Sequence, residues 1–111
     1  MKKIKVLHIL WAGRSGGAER FVRDITLYSD RSQFEHISIF LSEGGWIADD
    51  IEKNGSEVYR LGMKSGLSVA SGLQLIGLIR RLKPDIVNNH GRNFIVNLVV
   101  CLFFKGAKVY F

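Results

Sequence analysis

Two glycine-containing segments hold the residue types that bind or transform ligands. The first, residues 11–20, has the sequence WAGRSGGAER and lies between an apolar run and an amphipathic run. Its Gly16-Gly17 pair opens the amphipathic run, so bare backbone N–H groups would stand at the positive end of a helix dipole. That position suits a phosphate or another anion. A tight turn that lets the helix pack close to the sheet explains the two glycines equally well.

The second segment is His90-Gly91, which directly follows a predicted short strand at residues 85–89. A histidine at the end of a buried strand can donate a proton or form a hydrogen bond to a ligand hydroxyl. A histidine satisfied by neighbouring backbone is the equally weighted alternative. Arg14, shortly before the glycine pair, and Arg92, directly after Gly91, are candidates to contact phosphate or an acidic acceptor, although a surface arginine is the default interpretation.

The other histidines and the cysteine do not extend these segments. His8 lies in the middle of an apolar run, which predicts a packed, hydrogen-bonded core residue, whereas His36 opens the next run and is interpreted as a surface residue. Because the spacing of the three histidines and Cys101 matches no metal-binding pattern, no metal site is predicted. Asp85 follows Pro84 and is expected to act as a turn or capping residue.

Two common phosphate-binding signatures are absent from the sequence. The spacing of Gly13, Gly16 and Gly17 does not fit G-x-G-x-x-G, and no G-x-x-x-x-G-K-S/T occurs. These absences disfavour the nucleotide-cofactor domain of a reductase. Acidic residues do not cluster after the apolar runs, which also disfavours a phosphorylated receiver domain.

The apolar periodicity predicts the elements that carry these segments. We expect strands over residues 4–10, 36–41, 57–61, 85–89 and 107–111, and helices over residues 17–28, 46–53, 69–82 and 93–104. This alternation predicts an α/β fold, a doubly wound, Rossmann-like parallel sheet of about five strands with helices on both faces. Because ligands bind outside the carboxyl ends of such strands, both segments should lie on one rim.

Composition is typical of one globular domain over residues 1–111, since the chain is 47% hydrophobic. A single cysteine and no visible secretory signal favour a cytoplasmic location. The net charge of +6 favours anionic partners, but the basic residues are dispersed and no nucleic-acid-binding module occurs, so nucleic acid is not an expected partner. The charge and the apolar run at 93–104 are compatible with peripheral contact at the inner face of the membrane.

Taken in order, four short segments resemble the N-terminal domain of glycosyltransferase family 4. They are K-V-L-H-I at residues 5–9, G-G-A-E-R at 16–20, K-P-D-I-V at 83–87 and His90-Gly91. The resemblance covers the whole chain. It implies a retaining, metal-independent enzyme of GT-B architecture, in which two Rossmann-like domains face each other across a cleft. The N-terminal domain binds mainly the acceptor, and the C-terminal one binds a nucleotide-activated sugar.

The resemblance also implies roles for individual residues. The backbone at Gly16 and Gly17 would approach the donor diphosphate, and His90 would lie beside the transferred sugar. Glu19 would cap the helix, and Asn88 stands where the family often has another histidine.

The resemblance implies no cofactor. The expected partners are a nucleotide-sugar donor, held by a C-terminal domain outside this chain, and a glycan or lipid-linked acceptor of the cell-surface type. We therefore expect no transfer by the chain alone. The alternative is a non-catalytic α/β ligand-binding or regulatory module.

Overall fold

The computed structural model describes residues 2–11, 17–42, 44–63, 69–90 and 108–110. Strands and helices alternate along the chain until the fourth strand. In order they are β1 (Ile4–Leu10), α1 (Gly17–Tyr28), β2 (Phe34–Phe40), α2 (Trp46–Lys53), β3 (Glu57–Arg60), α3 (Val69–Leu82), β4 (Ile86–Asn89) and β5 (Lys108–Tyr110). The predicted helix over residues 93–104 lies outside the described residues.

The five strands form one parallel sheet in the order β3-β2-β1-β4-β5. The chain first moves outward from β1 through β2 to β3. It then returns through α3 to the other side of β1, where β4 pairs. The predicted doubly wound α/β fold is therefore confirmed. The topological switch point, where a ligand crevice is expected in such a sheet, lies between β1 and β4.

The β2 strand begins two residues earlier and ends one residue earlier than predicted, β3 ends one residue earlier, and β4 begins one residue later. The β2 and β4 starts have local reasons. The strand β2 begins at Phe34, because the turn after α1 closes early: Asp30 accepts hydrogen bonds from the Ser32 N–H and hydroxyl at 2.9 and 2.6 Å. Phe34 is thus free to pair with Ile4. The strand β4 begins at Ile86, since Asp85 turns its carboxylate onto the Lys5 N–H at 2.8 Å.

The described helices cover the sheet on both faces. The helix α3 packs on one face, which we call the α3 face, against side chains that include Leu7, Ile9, Ile37, Ile39 and Val87. The helices α1 and α2 pack on the opposite face, which we call the α1 face, through Val22, Ile47, Ala48 and Ile51 against Leu10 and Phe40. Successive residues of β1 alternate between the two faces, as a pleated strand requires. No helix among the described residues is long and apolar enough to cross a bilayer.

The amino edge of the sheet is held by contacts around Lys5. The Asp85 N–H donates to the Lys5 carbonyl at 2.9 Å, and the Lys5 ammonium donates to the Leu82 carbonyl at 2.8 Å. The helix α3 ends there because Lys83 takes a left-handed φ of 51° and Pro84 cannot continue a helix. Asp85 is thus a structural residue at the edge opposite the predicted rim.

Candidate functional site

The carboxyl ends of the strands form a continuous rim. The His90 N–H donates to the Ile9 carbonyl at 2.9 Å, and the Ser42 N–H donates to the Trp11 carbonyl at 2.6 Å. The Gly62 N–H in turn donates to the Ser42 carbonyl at 3.0 Å. Backbone hydrogen bonds therefore join the residues that follow β4, β1, β2 and β3, as the strand order predicts.

Two of the predicted site residues are described on this rim. His90 is half-buried directly after β4, and Gly17 is the exposed first residue of α1. A Cβ added at Gly17 would meet no atom of the other described residues within 4 Å, apart from its chain neighbours and the backbone of its own helix, so these residues leave the Gly17 backbone open to approach. The other predicted site residues, Gly16, Arg14 and Arg92, lie outside the described residues.

The N-terminal part of α1 lies beside His90. The ring of Phe21, one turn into the helix, meets the His90 ring edge-on at 6.3 Å between centroids and 63° between planes. The negative charge of Glu19 also acts on the His90 ring. The structure therefore brings together the start of the helix and the strand end that carry the two sequence-predicted segments.

His90 is one end of a hydrogen-bonded series of side chains that we call the histidine chain. Its Nε2 lies 3.2 Å from His8 Nδ1, and His8 Nε2 lies 3.0 Å from His36 Nδ1. The series ends where His36 Nε2 lies 2.9 Å from the hydroxyl of Ser29, the residue after α1. The histidine chain consists of Ser29, His36, His8 and His90.

The sheet register explains how these side chains meet. His8 is paired with Ser38 of β2 and Asn88 of β4. His36 and His90 each lie two residues from those partners, so they share the α1 face with His8 as its diagonal neighbours. The rings are nearly parallel, with centroids 5.2 Å apart for His8 and His36 and 5.4 Å apart for His8 and His90.

The histidine chain therefore runs diagonally beneath α1 from the carboxyl rim to the amino edge. His8, in the middle, is only 2% exposed. At the amino edge, His36 lines a cavity of about 170 Å³ together with Thr26 and Arg31. The chain thus connects this cavity to the predicted ligand rim.

Burial keeps all three rings neutral near neutral pH. It lowers the pKa of His8 from 6.5 to about 3, with further lowering from the like charges of His36 and His90. Burial also lowers the pKa of His36, and the positive charge of Arg31 adds to that effect. The pKa of His90 is lowered by burial against the opposing charge of Glu19. At neutral pH, His90 therefore acts as a hydrogen-bonding group and not as a cation.

The sequence interpretation of the three histidines is confirmed for one and wrong for another. His8 is the buried, hydrogen-bonded core residue that its position in β1 predicts. His36 is not a surface residue: it is half-buried, and both of its ring nitrogens lie within hydrogen-bond distance of a partner. The missed signal was that a histidine inside a buried strand needs polar partners, and a neighbouring strand must supply them.

The described residues contain no group of three side chains that converge as a metal site would require. Each histidine contacts the next in a line. In this line, both ring nitrogens of His8 and of His36, and Nε2 of His90, are directed at a neighbouring residue.

Comparison with known proteins adds a fold relationship. No protein-family model and no curated protein sequence matches the chain. Among solved structures, the chain resembles a glycosyltransferase from Rickettsia africae ESF-5 with a TM-score of 0.74 and 18% identity. The match covers 98% of this chain and 29% of that protein. The chain shares its fold with part of a glycosyltransferase.

A second solved structure, a universal stress protein from Archaeoglobus fulgidus, is a more distant match. Its TM-score is 0.50 with 12% identity, over 97% of this chain and 93% of that one. Both proteins support the α/β fold described above. The glycosyltransferase-like segment is the more similar of the two in TM-score, while the stress protein is the more similar in length.

Proposed function

We propose that the chain is the acceptor-side domain of a retaining glycosyltransferase of GT-B architecture, and that its carboxyl rim contacts a nucleotide-sugar. The donor would be held mainly by a second domain, and the acceptor would be a glycan or lipid-linked glycan. The observation that carries the proposal is the position of His90. It lies at the switch point of a sheet whose fold is shared with part of a glycosyltransferase, beside the start of α1.

The start of α1 and His90 have different roles in the proposed site. In the proposed site, the N–H groups at the start of α1, around Gly16 and Gly17, face the diphosphate and stabilise the charge that develops on it as the sugar leaves. His90 holds a sugar hydroxyl with a neutral ring nitrogen. A neutral ring suits this role, because it orients the sugar without placing a positive charge next to an oxocarbenium-like centre.

Other features of the proposed enzyme depend on the parts outside this chain. The proposed transfer needs neither a metal nor a cofactor, and Arg14 and Arg92 would lie near the phosphates or an acidic acceptor. The dispersed positive charge suits a cytoplasmic domain that works beside an anionic membrane surface on cell-surface polysaccharide precursors.

A non-catalytic ligand-binding module is the second candidate. It is favoured by the stress-protein match, in which a chain of nearly the same length forms the whole fold. Such a module would bind at the same rim, because the switch point is set by strand order and not by the reaction. The two candidates differ in whether His90 recognises a sugar.

Ligand titrations followed by amide and histidine ring NMR separate these candidates. UDP and UDP-glucose, then GDP and GDP-mannose, are added to the chain in the millimolar range. For either the uridine or the guanosine pair, we expect both the nucleoside diphosphate and the nucleotide-sugar to shift the Gly17 amide signal. Only the nucleotide-sugar should shift the His90 ring signals. Equal shifts of the His90 ring by the diphosphate and by the nucleotide-sugar would support the binding module and contradict the sugar role.

The amide of Gly55 at the amino edge is the internal control, and it should not move. The stricter test is a transfer assay on the enzyme with its donor domain, where His90→Ala should lower turnover by about two orders of magnitude while the fold is retained. The control variant Tyr59→Phe, at the exposed edge strand β3, should transfer normally. Normal turnover in His90→Ala would remove His90 from the site.

A further inference from the structure

The histidine chain has few ways to distribute its protons. Three neutral imidazoles carry one proton each, and each contact between two rings needs one donor and one acceptor nitrogen. The two contacts use two protons. The third proton must then lie at one of the two outer nitrogens, His90 Nδ1 or His36 Nε2.

Each position of the third proton fixes the whole series. If it lies on His90 Nδ1, then His8 donates from Nδ1 to His90, His36 donates from Nδ1 to His8, and Ser29 donates its hydroxyl proton to His36 Nε2. If it lies on His36 Nε2, every one of these bonds is reversed and all three rings carry their proton on Nε2. If the three rings do not all carry the proton on the same type of nitrogen, at least one contact between two rings has two protons or none.

The charges at the two ends favour one of these states. Glu19 is the anion that acts on His90, and Arg31 is the cation that acts on His36. A negative charge at the His90 end and a positive charge at the His36 end both draw the third proton toward the rim. Lys3, Glu35 and Glu57 also line the cavity at His36, and their charges partly offset one another there.

We propose that His36 and His8 are positioning residues that lock the tautomer of His90, so that His90 presents Nδ1–H as a hydrogen-bond donor at the rim. A charge at the amino edge would then determine which hydrogen-bonding group His90 presents to a ligand at the carboxyl rim, on the same face of the sheet. The proposed function gives this donor its partner, an oxygen of the sugar. The coupling among the rings does not depend on that function.

Imidazole nitrogen NMR measures the coupling without any substrate. Long-range proton–nitrogen spectra of the ¹⁵N-histidine-labelled chain assign the protonated nitrogen of each ring. We expect all three rings to be neutral at neutral pH with the proton on Nδ1. Opposite tautomers on any two of the three rings would overturn the proposal.

Charge reversal at the distant end provides the second measurement. Arg31→Glu should move His36, His8 and His90 toward the Nε2–H tautomer together and by the same fraction, although the substitution does not touch His90. Arg31→Gln, which only removes the charge, should do so to a smaller extent and covers the case in which Arg31→Glu fails to fold. A response at His36 that is absent at His90 would overturn the coupling.

Lys53→Glu makes the same change in net charge at the exposed end of α2 and is the matched control. It should leave all three tautomers unchanged. A change in tautomer populations as large as that in Arg31→Glu would mean that net charge, and not the local charge of Arg31, sets the proton positions, which would contradict the proposal. The outcome is independent of the ligand titrations above. Coupled tautomers without a sugar-dependent shift at His90 would refute the proposed function alone. A sugar-dependent shift at His90 without coupled tautomers would refute this inference alone.

Discussion

The two faces of the sheet are built from the same strands but bury different kinds of side chain. On the α3 face, the buried side chains of the described residues are hydrophobic, among them Leu75 and Ile79 at 0% exposure, except for the neutral amide of Asn89, which is paired with Ile9 in the register. On the α1 face, the strands also bury His8 and Ser38, and the helix above buries Thr26. One face is an apolar core with a buried amide at its carboxyl end, and the other combines a smaller apolar core with a series of polar, titratable side chains that reaches both edges.

The two faces therefore contribute differently to the domain: the α3 face to its stability, and the α1 face to the orientation of His90. Burial of apolar surface is favourable without any requirement for direction, so the α3 face can anchor the fold. Buried polar groups must each find a partner, and the geometry that satisfies them is specific. The α1 face therefore fixes the orientation of His90, while the α3 face supplies stability that does not depend on protonation.

The largest expected effect is on the α3 face. Ile79→Ala removes a fully buried side chain and should lower the free energy of unfolding by about 3 kcal/mol through lost burial and an incompletely collapsed cavity. The measurement is urea denaturation at neutral pH. Leu73→Ala on the same helix, at a position 65% exposed, is the control and should change stability by less than about 0.5 kcal/mol. Equal losses in the two variants would contradict the assignment of this face.

The second effect is the pH dependence of the free energy of unfolding, which we expect to arise from the α1 face. Unfolded histidines take up protons below about pH 6.5, whereas buried His8 resists protonation until about pH 3. The unfolded state therefore binds more protons, and stability should fall as the pH is lowered, by about 1.4 kcal/mol per pH unit for each such proton. Between about pH 6.5 and pH 4, His8 alone should account for about 3 kcal/mol.

The matched variants test which face is responsible. His8→Leu should remove most of this acid sensitivity, because the half-buried His36 and His90 can be hydrated when they lose their central partner. Ile79→Ala should lower stability at every pH and keep the wild-type slope. The assignment would be contradicted by a His8→Leu protein that retains that slope. If His8→Leu does not fold, His36→Leu, which should reduce the slope in part, provides the same comparison.

The sequence was sufficient for the apolar elements and insufficient for the polar series. The predicted bounds of α2 and α3 are confirmed, because Asn54-Gly55 and Pro84 are strong local stop signals and the apolar spacing between them is regular. The β2 start was wrong by two residues, since it depends on how tightly the Asp30 turn closes. Such side-chain hydrogen bonding in a turn leaves little trace in periodicity.

The role of His36 was beyond local sequence reasoning for a stronger physical reason. Whether a strand residue is buried depends on the register of its strand, and a slip of one residue moves every side chain to the other face. The pairing of Val6 with His36 and of His8 with Asn88 is set by the whole sheet. The location of His90 on the carboxyl rim was predictable because it follows a strand end, a position that the sequence marks directly.

A smaller effect is expected at Thr26, the helical member of the buried polar set. Its hydroxyl donates to the Arg23 carbonyl at 2.8 Å inside α1. Thr26→Val keeps the volume and removes this bond, so stability should fall by about 1 kcal/mol. Because no titrating group is involved, thermal and urea unfolding should give the same loss at pH values on both sides of the histidine transition. A loss that grows at low pH would place Thr26 in the histidine chain.

The smallest effect is expected at Ser38, and it tests how complete the polar series is. Its buried hydroxyl oxygen has no hydrogen-bond partner among the described residues, although Ser38 is the register neighbour of His8. An unpaired buried hydroxyl already bears a desolvation cost, so Ser38→Ala should leave stability unchanged or raise it by up to about 1 kcal/mol.

Ring NMR sharpens the Ser38 measurement. Since both His8 nitrogens are engaged by other rings, the tautomers of the histidine chain should be the same in Ser38→Ala as in the wild type. Val22→Ala, a purely apolar truncation on the same face, is the control and should be destabilising. A destabilised Ser38→Ala protein with altered His8 tautomers would show that the hydroxyl belongs to the series. Ser38 of β2 would then be a further member of the histidine chain.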